Sequence, residues 1–139
     1  MARFCIDASA VLAWLIPTQR TRVIEEAWTH LLRGDNLISA PPLLYAECTS
    51  VLREQVGETL THQEALETVD DLFSLPVDAP TERRLYTRAL ELAERFQRRK
   101  AYDMQYLAVA ELHGAELLTL DRGLSDAASQ LGVPVRLLA

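Results

Sequence analysis

Short apolar runs of strand length alternate along this chain with longer stretches of helical period, and no other feature restricts its fold so tightly. RFCI (Arg3–Ile6), LISA (37–40), ELLTL (116–120) and VPVRLL (133–138) read as strands. The segments between them repeat apolar residues every three or four positions. Strands separated by helices can lie side by side when each helix crosses back over the sheet, so the expected architecture is α/β, a central parallel sheet between two helical layers.

The punctuation agrees with that layout. Pro17 stops a helix that begins near Ala8, Gly34 closes one over 21–33, and Pro41 and Pro42 open one that runs to Val56 before Gly57. Thr61 and Glu64 have capping-box spacing for a helix ended by Pro76. Further helices are expected over 81–99, over 102–113 with Gly114 as its C-cap, and over 125–131 with Asp126 near its start as N-cap. Repeats, low-complexity tracts and linker-like runs are missing. At 139 residues and 49% hydrophobic content, the chain is long enough for one core, and residues 1–139 are expected to form one domain.

The apolar run from Ala8 to Ile16 is too short to span a membrane and lacks the flanks of a signal peptide, so a cytoplasmic location is expected. Cys5 and Cys48 lie in apolar segments without metal or disulfide spacing and read as buried small hydrophobes.

Twenty acids against fourteen bases give a net charge of −6, which on its face disfavours a nucleic-acid partner. The distribution modifies that reading. Seven bases (Arg83, Arg84, Arg88, Arg95, Arg98, Arg99, Lys100) fall between 83 and 100 with only Glu91 and Glu94, so this stretch is +5 and the remainder −11. Either a solvated helix face or a phosphate-binding edge would produce such a pattern.

Four acids stand where chemistry is expected. Asp7 directly follows the first strand and Asp121 the late one, and open parallel sheets bind ligands beyond the carboxyl ends of their strands. Helix capping explains either acid equally well when taken alone. Asp103 sits in the first turn of its helix, where the macrodipole favours an acid, yet shares a face with Tyr106, Leu107 and Ala110. Glu47 is harder to account for. It lies mid-helix beside Cys48, three residues after Leu44 and four before Val51, with no basic residue at 43, 44, 50 or 51 to pair with it. A buried carboxylate needs a partner from elsewhere, either a distant arginine or a cation shared with other acids. Four carboxylates on one sheet edge would repel by about 4 kcal/mol per pair at roughly 4 Å and an effective dielectric of about 20, so a cluster would require a cation. The candidate ligands are all oxygens, and His30, His62 and His113 are scattered, which points to Mg²⁺ or Mn²⁺ over Zn²⁺.

FCIDASAVLAWL at the start, LLYAECTSVL around Glu47, AYDMQYLAVA around Asp103 and LLTLDRGL around Asp121 together resemble a PIN domain. The likeness extends over essentially the whole chain and is strongest to VapC-type toxins of toxin–antitoxin pairs. It implies a five-stranded parallel sheet, Mg²⁺-dependent endoribonuclease activity, a homodimer and inhibition by a small cognate antitoxin. Asp7, Glu47, Asp103 and Asp121 would be the metal-binding, catalytic acids, with Asp7 and Asp103 as the main ligands. Ser9 and Thr119 match the small hydroxyl positions beside the first and last acids, although local hydrogen bonding would also explain them. Arg98, Arg99 and Lys100 would contact RNA phosphates. Leu124 departs from the family pattern, standing where many relatives carry an aromatic.

Other readings stay open at this level: a PIN nuclease that processes RNA without an antitoxin, or a PIN-like binding module without catalysis. Receiver domains and haloacid-dehalogenase phosphatases fit poorly, because Asp7 is unpaired, no strand-end lysine follows, and Asp7-Ala8-Ser9 replaces DxD.

Overall fold

The order of the strands is what places the site. A computed structural model describes residues 1–139. Strands β1 (Arg3–Ile6), β2 (Leu37–Ser39), β3 (Val77–Asp78), β4 (Glu116–Thr119) and β5 (Val135–Leu137) form one parallel sheet in the order β3-β2-β1-β4-β5. From β1 the chain builds outward through β2 to β3, then returns to the other side of β1 for β4 and β5. The order therefore reverses between β1 and β4, and the helices leaving these two strands depart to opposite faces, opening a crevice at their carboxyl ends.

Helices α1 (Ala8–Leu15), α2 (Arg22–Leu31), α3 (Leu43–Gln55) and α4 (His62–Ser74) pack together as one layer. Helices α5 (Arg83–Arg95), α6 (Met104–His113) and α7 (Arg122–Leu131) form the other. The three-layer α/β/α arrangement and the parallel sheet match the sequence expectation. Helix α1 carries apolar residues nearly all round and is buried at Ala10, Val11, Leu12 and Ala13. Trp28 of α2, fully buried, donates its indole N–H to the Ala10 carbonyl at 3.0 Å and ties α2 to the first turns of α1. The Thr61 and Glu64 capping box forms in both directions, and Gly114 and Gly132 end their helices in the left-handed conformation.

Several boundaries differ from expectation. Strand β3, two residues at the sheet edge after Pro76, is too short to leave a periodic signal. Helix α5 stops at Arg95 instead of reaching Arg99. Its end is a Schellman turn in which Gln97 N–H bonds Glu94 O, Arg98 N–H bonds Ala93 O at 2.7 Å, and Gln97 itself takes the left-handed conformation (φ 53°). Helix α7 begins at Arg122, capped by Asp121. Asp126 is an exposed residue inside this helix, and its expected N-cap role is wrong, because Asp121 caps the helix and the first turn starts at Arg122. Cys5 and Cys48 are buried free thiols, as expected.

Candidate active site

Asp7 leaves β1 at the reversal point and is 5% exposed. The register of the central pair sets its surroundings. Ile6 lies beside Leu118, so Asp7 falls beside Thr119, the fully buried last residue of β4. Asp7 Oδ2 accepts the Thr119 hydroxyl at 2.5 Å, and Thr119 Oγ1 in turn accepts the backbone N–H of Asp121 at 2.9 Å. Asp7 Oδ1 accepts Ser9 Oγ at 2.6 Å and the Ala10 N–H at 3.0 Å, while Ser9 Oγ accepts the Leu120 N–H at 3.0 Å. Ser9 and Thr119 thus stitch the first acid to the loop that carries the last. Burial pushes the Asp7 carboxyl above its ordinary pKa. The Ser9, Thr119 and Ala10 hydrogen bonds pull it down, and the nearby charge of Asp121 raises it further.

Asp121 caps α7 through Oδ1, which accepts the Leu124 N–H at 3.0 Å, and its residue is exposed. Both strand-end acids therefore do cap helices. Capping occupies one oxygen of each, so it is compatible with a second role for the other.

Glu47, half-buried on α3, has no arginine partner. Its Oε1 accepts the Tyr106 hydroxyl at 2.5 Å, from a residue of α6 that is 2% exposed. Tyr106 feels Asp7 as well as Glu47; burial foremost, then the Glu47 hydrogen bond and both negative charges, drives its phenol well above the usual range. Cys48, next to Glu47, is pushed up to about 12 by burial and by the charges of Glu47 and Asp7. These couplings put Glu47, Tyr106, Cys48 and Asp7 in one neighbourhood. Sequence reasoning missed Tyr106 as a participant. The available signal was its position three residues after Asp103, on the same helix face.

Asp103 stands at the N-cap position of α6 but makes no capping hydrogen bond. Its Oδ2 instead pairs with Arg98 Nη1 at 2.5 Å, each side chain about one-third exposed. Arg98 Nη2 and Asp121 Oδ1 flank the bare side of Gly123, at 3.5 and 3.3 Å from the point where a Cβ would stand. Arg98 thus turns into the acidic region, whereas Arg99 and Lys100 are exposed, with Lys100 Nζ 5.9 Å from the Tyr102 ring centre.

The donor chemistry suits a hard cation. Beside their protein partners, Glu47 Oε2, Asp103 Oδ1 and Asp121 Oδ2 make no protein hydrogen bond, and the buried Asp7 carboxylate has no cationic partner. No three His, Cys, Asp or Glu side chains stand grouped as a metal ion would hold them. The structure joins Asp7 to Asp121 through Thr119, brings Glu47 near Asp7 through Tyr106, and leaves Asp103 on Arg98.

Solved structures share this arrangement of strands and helices. The chain is similar to VapBC-1 from nontypeable Haemophilus influenzae, with 13% identity, 98% of each chain covered and a TM-score of 0.70. It is similar to a toxin–antitoxin complex from Klebsiella pneumoniae at 18% identity, 100% and 98% coverage and a TM-score of 0.65. Mycobacterium tuberculosis VapC20, a sarcin–ricin-loop-cleaving toxin, matches at 17% identity, 89% and 94% coverage and a TM-score of 0.69. No curated relative matches the sequence significantly. At these identities the structures speak for the fold, and the sequence itself carries the family: the PIN-domain model matches residues 4–130. With strand-end acids at the reversal of a five-stranded parallel sheet and a family match over nearly the whole chain, this protein belongs to the PIN-domain family.

Proposed function

We propose that this protein is a divalent-metal-dependent endoribonuclease acting as the toxin of a toxin–antitoxin pair. PIN domains are generally nucleases, and the similar structures include VapBC-1 and a toxin–antitoxin complex. The observation that carries the reading is the Asp7–Thr119–Asp121 bridge at the switch point. It holds a buried carboxylate, without a cationic partner, beside a second acid whose outer oxygen makes no protein hydrogen bond.

In this reading Asp7 and Asp103 are the main ligands of Mg²⁺ or Mn²⁺, with Glu47 and Asp121 completing the shell or one of them serving as general base. When bound, such an ion lowers the pKa of a coordinated water and neutralises charge on a phosphate. The protein's share of the work is orientation. Ser9, Thr119 and the Ala10 N–H fix the Asp7 carboxylate in one rotamer, and Tyr106 aims Glu47. Arg98, Arg99 and Lys100 supply positive charge beside Asp103, where the phosphate backbone of RNA would otherwise meet a chain of net charge −6. A cognate antitoxin, a homodimeric assembly and a cytoplasmic location belong to the same reading.

The test is cleavage of RNA by the purified protein in MgCl₂ or MnCl₂ against Asp7→Asn and Asp103→Asn variants. Each substitution should reduce cleavage by about 100-fold or more, in line with losses on disturbing metal-site groups. Absence of cleavage by the wild type, or intact cleavage by both variants, refutes the mechanism. Expression with and without the adjacent small gene, followed by mapping of RNA ends, tests the partner and the substrate together.

A further inference from the structure

Three basic residues follow one another at the end of α5, and only the first turns inward. The Schellman turn makes that orientation a property of the backbone: Arg98 N–H is bonded to Ala93 O, and Gln97, without the freedom of glycine, accepts a left-handed φ to allow it. From this anchor the Arg98 guanidinium places Nη1 on Asp103 Oδ2 and turns Nη2 to the side of Gly123 that Asp121 Oδ1 also faces. Asp103, at the head of α6, spends its carboxylate on Arg98 instead of on its own helix N-terminus.

We propose that Arg98 is a built-in counter-ion of the acidic site, its guanidinium held on Asp103 and turned toward the side of Gly123 that Asp121 flanks, so that it competes with a divalent cation for Asp103. The inference rests on the metal-dependent reading above and adds to it a competition: the cation and the Arg98–Asp103 pair exclude each other. Binding of the cation releases the guanidinium, which remains tethered beside the site as a fork-shaped donor suited to phosphate oxygens. An ion pair that only fastened the loop to α6 would persist in the metal-bound protein, with the guanidinium still on Asp103.

The test is calorimetric titration of MnCl₂ alone into the wild type and into Arg98→Gln. Losing a competitor held by one charge-assisted pair, itself one-third exposed, should tighten Mn²⁺ binding by about fivefold to tenfold. The wild type supplies a second readout that needs no folded variant. Titration with MgCl₂, followed by NMR of arginine Nε–H groups, should move the Arg98 signal in step with binding. Mn²⁺ affinity that is equal or weaker in a folded Arg98→Gln protein, or an Arg98 signal that ignores saturating Mg²⁺, overturns the competition and leaves the nuclease reading standing. Absence of Mn²⁺ binding to either protein overturns both.

Discussion

Thr119→Val isolates the hydroxyl that joins the first and last acids. Valine fills the same volume at a fully buried position, so packing is nearly conserved and the change is electrostatic. Two bonds vanish, one to the Asp7 carboxylate and one from the Asp121 N–H. The first is charge-assisted and contributes about 1.5–3 kcal/mol; the second, at a part-buried amide that water can reach, about 0.5–1 kcal/mol. Burial of the extra methyl returns about 0.8 kcal/mol, which leaves a net loss of about 1–3 kcal/mol. For a chain of this size that corresponds to a fall in Tm of about 3–10 °C. Thermal melting followed by circular dichroism, in both the wild type and an Asp7→Asn background, measures it. With the charge gone the same substitution should cost about half as much, a coupling of about 0.5–1.5 kcal/mol. A fall below about 2 °C, or equal losses in both backgrounds, would refute the claim that Thr119 acts through Asp7.

Tyr106→Phe removes the only hydrogen bond made to Glu47 by a protein side chain and should lower stability by about 1 kcal/mol, with cleavage reduced at unchanged KM; steady-state kinetics on a defined RNA decide it. Gln97→Gly relieves a left-handed residue and should raise Tm by about 2–4 °C, while a lower Tm would show that the side chain makes a compensating contact. Both cysteines are buried, and burial holds the Cys48 thiol up at about 12, so neither should react with a thiol reagent at neutral pH until the protein is denatured, when both should. Neutralising Arg99 and Lys100 should cut the slope of log K against log salt for RNA binding by about 1.4, two phosphates at about 0.7 each; an unchanged slope would assign these residues to bulk solvent.

The layout of this fold was legible because its signals are local. Apolar runs marked β1, β2, β4 and β5, and glycines or prolines marked most helix ends. Features resting on pairing or unusual backbone were not. Strand β3 exists through its bonds to β2, and the α5 terminus uses glutamine where glycine would have announced the turn. The start of α7 lies earlier than the expected Ser125, because Asp121 and not Asp126 supplies the cap, and Gly123 in the first turn leaves room for Asp121 and Arg98. In the candidate site, the absence of a basic neighbour along α3 singled out Glu47, but its partner Tyr106 lies 59 residues away and is uncharged. The sequence reads Arg98 with Arg99 and Lys100 as one phosphate-contacting group. The turn that separates them is set by two backbone hydrogen bonds that composition cannot reveal.

The hydroxyl stitch between Asp7 and Thr119 spans 112 residues of chain, and so also fixes when the site can exist. At about 5–20 residues per second of synthesis, Asp7 is joined to the chain roughly 6–22 s before Thr119 is added. Until β4 docks against β1, the first acid has neither its neighbouring strand nor the loop of Asp121. Under the nuclease reading proposed above, a nascent chain stays inert until β4 has emerged and docked beside β1.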